Sequence, residues 1–169
     1  MTRRQFMTTA ASGLVVLPAA GFCYRTNRPM TSKTPSPSGS FPVTKTDDEW
    51  QAALTPRQYA VLRRHDTEYP GTSPLLEEHR DGTFACAGCG QPLFSSGTKY
   101  ESGSGWPSFY AAIEGAVGTS EDVTLGMRRV EIHCSRCGGH LGHVFPDGPR
   151  PTGERYCTNG AALRFDAKD

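Results

Sequence analysis

CAGCG (residues 86–90) and CSRCG (residues 134–138) decide how this chain folds. Each puts two thiols three apart with a glycine directly behind, and such a turn can wrap a pair of sulfurs round one tetrahedral ion. A single CxxC is also the spacing of a redox dithiol. Two of them, each with a glycine to ease the tight turn, predict a closed four-sulfur site for one structural zinc ion, held by Cys86, Cys89, Cys134 and Cys137. Protein sulfur fills every position, so this metal is expected to staple rather than react. Here 44 residues lie between the two knuckles, whereas a zinc-ribbon module spaces them ~15–20 residues apart.

Working outward, 169 residues allow one ordinary domain. Nineteen glycines and 13 prolines against a 36% hydrophobic content predict many turns and short strands. The formal charge is +1, and without Arg3 and Arg4 the acidic residues outnumber the basic ones. That balance gives no electrostatic case for a nucleic acid or an anionic membrane as partner.

The opening MTRRQFMTTAASGLVVLPAAGF reads as a twin-arginine export signal over residues 1–21, which predicts a periplasmic or otherwise exported protein. Its apolar run is too short for a stable membrane span, which needs ~20 residues. Cys23, just beyond, raises lipid anchoring as a lesser reading, since Phe22 fits such a signal poorly. Residues 22–46 are rich in Thr, Ser and Pro and read as a flexible tether. The folded domain is expected over 47–166, with 167–169 as a tail.

Within it, Trp50 and Leu54 mark a short helix. Thr55, Pro56 and Gln58 complete a capping box for a second helix, running to about His65 with Tyr59 and Leu62 inward. Residues 123–135 read as the longest strand, with His133 in its polar, solvent-facing set. Residues 155–165 read as a closing strand pair turning at Asn159-Gly160. The fold class is mainly β: a small zinc-stabilised domain of antiparallel strands with short N-terminal helices.

Inside the domain one thiol remains, Cys157 in RYCTNG (residues 155–160). A solitary strand cysteine is usually a small buried hydrophobe. Its neighbours argue for more, because Arg155 and Asn159 are placed to share its side of the strand. The arginine is expected to lower its pKa. GGHLGHVF (residues 138–145) adds His140 and His143, which are free as proton donors if four sulfurs already saturate the metal. Phe145 follows, and SGSGWPSF (residues 102–109) brings Trp106 and Phe109 as the rest of an aromatic cradle. Two other readings share this scaffold, a non-catalytic zinc-binding or chaperone-like module and a general thiol-disulfide or peroxide enzyme.

From about residue 50 to 165 the chain resembles the B-type methionine sulfoxide reductases, the peptide-methionine (R)-S-oxide reductases. The resemblance runs through LTPRQYAVLR, CAGCGQPLFSS, KYESGSGWPSF, GMRRVEIHCSRCGGHLGHVFPDGP and PTGERYCTNGAALRF, in that order. It implies two antiparallel sheets, one zinc and no organic cofactor. It implies that Cys157 attacks the sulfoxide sulfur and becomes a sulfenic acid, that His140 and His143 bind or protonate the oxygen, and that Trp106 takes the substrate methyl group beside Phe145. Arg155 and Asn159 match polar residues round the thiol. Oxidised proteins or peptides are the implied substrates of a monomer. One departure stands out: many members carry a resolving cysteine where this chain has Ser104. A thioredoxin-like or envelope thiol reductant, or Cys23 on its tether, is then left to reduce the sulfenic acid.

Overall fold

Two capping boxes open the ordered body. In this computed structural model, which describes residues 40–169, Thr46 accepts from the Glu49 N–H while the Glu49 carboxylate takes the Thr46 N–H at 2.7 Å, starting α1 (Asp47–Ala53). Thr55 and Gln58 repeat the device for α2 (Pro56–Arg64), with proline at its start where no N–H is needed. The helices bury Trp50, Val61 and Leu62. Beyond α2 the chain turns at His65, held in the left-handed region at φ 56°.

Nine strands follow: β1 (Gly82–Cys86), β2 (Pro92–Ser95), β3 (Lys99–Tyr100), β4 (Ser108–Phe109), β5 (Val117–Asp122), β6 (Arg129–Cys134), β7 (His140–Phe145), β8 (Arg155–Thr158) and β9 (Leu163–Ala167). They form two antiparallel sheets, ordered β2-β1-β9 and β3-β4-β8-β7-β6-β5. A core rich in phenylalanine lies among them: Phe109 stacks on Phe94 at 4.3 Å and meets the Phe84 edge at 5.0 Å. Each such ring contributes ~1.5–3 kcal/mol by leaving water. Among the described residues no helix is long and apolar enough to cross a membrane.

Several sequence expectations are corrected. The strand expected over 123–135 begins only at Arg129, because residues 124–126 form a 3-10 turn with Gly126 in the left-handed region. His133 is not solvent-facing: it is 7% exposed, with its ring edge-on to Phe41 at 5.7 Å. From Glu131 to Cys134 both faces of β6 are buried, so alternation of polar and apolar residues does not mark one face as wet there. The closing hairpin is absent. β8 and β9 lie in different sheets, and Asn159-Gly160 opens a 3-10 turn that carries the chain between them.

The folded body also extends past both expected limits. Val43 donates its N–H to the Arg136 carbonyl at 2.9 Å and packs on the core, while Phe41 lies against Gly138. At the far end Ala167 belongs to β9, and the Lys168 N–H reaches the Asp81 carbonyl. The export signal, Cys23 and the first part of the tether fall outside the described residues.

Candidate active site and metal centre

The knuckles close at the ends of two strands. Cys86 ends β1 and Cys134 ends β6, and each accepts a hydrogen bond at its carbonyl from the glycine four residues on, Gly90 and Gly138, both at 2.8 Å and both with φ near +70°. The Sγ atoms of Cys86 and Cys137 stand 3.8 Å apart and those of Cys89 and Cys134 3.5 Å apart, with all four inside 4.8 Å of one another. A tetrahedral ion with bonds of ~2.3 Å to sulfur separates its ligands by about 3.8 Å. The four thiols therefore fit one tetrahedral metal ion, and they join a strand of each sheet.

The second site is set by register. Ser108, Cys157, His143, Glu131 and Ser120 pair directly across β4, β8, β7, β6 and β5, so one row of side chains crosses one face of the larger sheet. Gly142 permits the close approach at its centre, since a Cβ there would strike the Cys157 carbonyl. Above the row lies a cavity of about 140 Å³ whose walls include Cys157, His143, Phe145, Asn159, Trp106 and Arg129.

Phe109 is not among those walls. On the short strand β4 Ser108 takes the Cys157 side, which turns Phe109 to the opposite face and into the core at 0% exposure. The expected substrate contact is corrected accordingly. His140 also stands off the cavity, 3% exposed, its ring edge-on to that of His143 at 5.7 Å. Its Nδ1–H donates to Glu131 Oε1 at 2.6 Å.

His143 is oriented by a carboxylate. Its Nε2–H donates to Asp122 Oδ2 at 2.7 Å, which leaves Nδ1 as the free nitrogen. Burial would push the Asp122 carboxyl up, but the Thr124 hydroxyl and N–H, His143 and Arg129 outweigh it and hold it below the usual range. Burial lowers the His143 pKa, and Asp122 offsets only part of that. The imidazole is therefore neutral near pH 7.

Arg155 does not leave Cys157 a thiolate. Its fork is taken by Asp147 at 2.9 and 2.8 Å, and its plane lies over Phe145 at 4.5 Å. Burial pushes the Cys157 thiol up, further than Ser104 and Arg155 pull it down, and Asp147 adds to the rise. Because the anion is the reactive form, alkylation of Cys157 by iodoacetamide is expected to rise with pH through a midpoint above that of an ordinary cysteine. Asp147→Asn should move that midpoint down and Arg155→Met should move it up. A midpoint below that of free cysteine would contradict this account.

Glu68 was not visible as a site residue, since nothing in HDTEYPG distinguishes it from a loop acid. Its carboxylate accepts from the Gly160 and Ala161 N–H groups, directly behind Asn159. Its own N–H donates to Asn159 Oδ1 at 3.0 Å, and its carbonyl accepts from Trp106 Nε1 at 3.1 Å. Asn159 Nδ2 in turn donates to the Leu141 carbonyl at 3.2 Å. One residue thus ties the indole, the amide and the turn after the thiol. Glu68→Ala is expected to cost about 2 kcal/mol by stranding two N–H donors, read as a lower melting temperature. Asp122 and Glu131 were missed as well; their signal lies in cross-strand register, which the sequence does not state.

A strand thiol facing an indole and an imidazole of fixed tautomer is equipped to attack a small polarised group and change its own oxidation state. That defines a class, the thiol-dependent oxidoreductases built on a knuckle-stapled pair of sheets. The SelR domain model matches residues 54–167. A protein of Leifsonia xyli subsp. xyli named peptide methionine sulfoxide reductase MsrB is 54% identical over 133 residues, covering 78% of this chain and 96% of that protein. Proteins of the same name from Leptospira interrogans and Thiobacillus denitrificans are 56% and 55% identical, covering 75% and 74% of this chain and 97% and 96% of theirs. This chain belongs to the MsrB family, the SelR-domain peptide-methionine (R)-S-oxide reductases.

Proposed function

We propose that this protein reduces R-configured methionine sulfoxide in oxidised proteins or peptides, with Cys157 as the nucleophile. The observation that carries the reading is the shared cavity of Cys157, Trp106 and His143. As the Cys157 sulfur attacks the sulfoxide sulfur, the thiol proton passes to the free His143 Nδ1 and from there to the sulfoxide oxygen. The S–O bond then breaks as the oxygen passes to Cys157, so the substrate leaves as methionine, reduced by two electrons, and Cys157 becomes a sulfenic acid. Trp106 and Phe145 hold the methyl end. His143 Nδ1 and the remaining Asn159 N–H face the oxygen, and His140 with Glu131 supports His143 from behind.

Zinc is the metal that the four knuckle sulfurs suit best, and its role is to hold β1 to β6. No organic cofactor is needed. Ser104, with Oγ 3.8 Å from Cys157 Sγ, stands where a second thiol would form the resolving disulfide. A hydroxyl cannot do this, so an external thiol reduces the sulfenic acid, with Cys23 as the alternative resolving group.

The test is turnover of peptide-bound methionine-R- and S-sulfoxide by the zinc-loaded protein and its Cys23→Ser variant, with dithiothreitol. R-only turnover by both supports the reading and makes Cys23 dispensable. Turnover of the S epimer, or of neither by folded protein, would overturn it.

A further inference from the structure

Off the cavity lining lies a second group of side chains able to ligate a metal, two of which also stand behind His143. His65, Glu131 and His140 present three ligand atoms within 4.8 Å of one another. Both imidazoles offer Nδ1, and both aim it at the same oxygen: Glu131 Oε1 lies 2.6 Å from His140 and 3.0 Å from His65. The other carboxylate oxygen is held by the Ser120 hydroxyl at 2.7 Å. The ligands come from three places, the turn after α2, β6 and β7, and all three are largely buried, at 12%, 6% and 4% side-chain exposure. His65 is the sole non-glycine residue with positive φ among those described, and that left-handed turn brings its ring against Glu131.

We propose that His65, Glu131 and His140 form a second, exchangeable site for a divalent d-block cation of the zinc class. Two imidazoles and one carboxylate are the ligand set of an open, three-coordinate zinc site. Nitrogen donors favour such ions over magnesium or calcium. An ion bonded at ~2.0–2.1 Å to each donor sets them about 3.3 Å apart, so the donors at 2.6 and 3.0 Å need retreat only slightly. On binding, the ion takes the place of the two protons that now point at one oxygen, and each imidazole is then left with its proton on Nε2. Ser120 keeps the carboxylate oriented, as partners behind a ligand do at metal sites. The partly exposed His65 edge gives the cation its way in. Unlike the knuckles, the site does not join the two sheets, so the fold does not depend on filling it. Occupancy would pin His140 next to His143, making excess zinc an inhibitor; this last point rests on the reductase reading, whereas binding itself does not.

The experiment titrates Co2+ into zinc-loaded Cys157→Ser protein, which removes the cavity thiol as a competing ligand. One further equivalent is expected to bind with d–d absorption and no thiolate-to-cobalt charge transfer, and to be lost in His65→Ala protein that retains its knuckle zinc. No second equivalent, a charge-transfer band marking cysteine ligands, or binding that survives His65→Ala would each overturn the site. With wild-type Cys157, added Zn2+ should slow turnover, and His65→Ala should relieve that inhibition while leaving basal activity unchanged. Binding without inhibition would retain the site and remove only its link to His140.

Discussion

Stripping the zinc proposed for the four knuckle sulfurs is expected to unfold the domain. Cys86 and Cys134 are fully buried where β1 and β6 end, and these strands belong to different sheets. A structural zinc can supply apparent binding energy of about 10–16 kcal/mol in small metal-dependent folds. That is comparable to or larger than the whole stability of an ordinary domain, about 5–15 kcal/mol. A chelator strong enough to extract the ion, or the substitution Cys134→Ala, should therefore abolish the cooperative melting transition and the near-ultraviolet signal of Trp50 and Trp106 together. Readdition of zinc should restore both in the wild-type chain. A metal-free protein that keeps its transition would show that hydrophobic packing alone holds the sheets.

Cys157→Ser should reduce sulfoxide turnover by roughly 10⁴-fold or more, as losses of a covalent nucleophile do, with little change in melting temperature. The two expectations separate because Cys157 is half-buried at the cavity while the core rings Phe84, Phe94 and Phe109 lie elsewhere. Serine keeps the approximate volume and the strand pairing with Ser108 and His143. It lacks the nucleophilicity to take oxygen from sulfur, and no neighbouring group in the cavity can replace it. The four knuckle thiols face one another rather than the cavity. Residual activity within tenfold of wild type would move the chemistry to another residue.

Local features of the fold were legible because their causes are local. The Thr55–Gln58 box needs only four consecutive residues, and each knuckle needs five. Motif and spacing also picked out Cys157, His143 and Trp106, which the structure brings to one cavity, and His140, which it leaves off that cavity. What the sequence concealed were carboxylates that act at long range. Glu68 closes onto a turn more than ninety positions away, at Gly160 and Ala161. Asp122 and Glu131 acquire their partners only once β5, β6 and β7 pair in register. The errors have the same origin. Phe109 looked like part of a cradle because it follows Trp106 in sequence, yet alternation on β4 turns it inward. His133 looked exposed because its strand alternates, yet Phe41 covers it. Arg155 does pull the thiol's pKa down as expected, but burial outweighs it while Asp147 holds its fork.

The most direct measurement is a single turnover without any reductant. Reduced, zinc-loaded protein is mixed with a peptide carrying methionine-R-sulfoxide, and the products are counted by mass spectrometry. One methionine formed per chain, with one oxygen added to the peptide containing Cys157 and trapped by a sulfenic-acid reagent, is the predicted result. Methionine formed without oxygen on Cys157, or oxygen found only on the knuckle cysteines, would contradict the account.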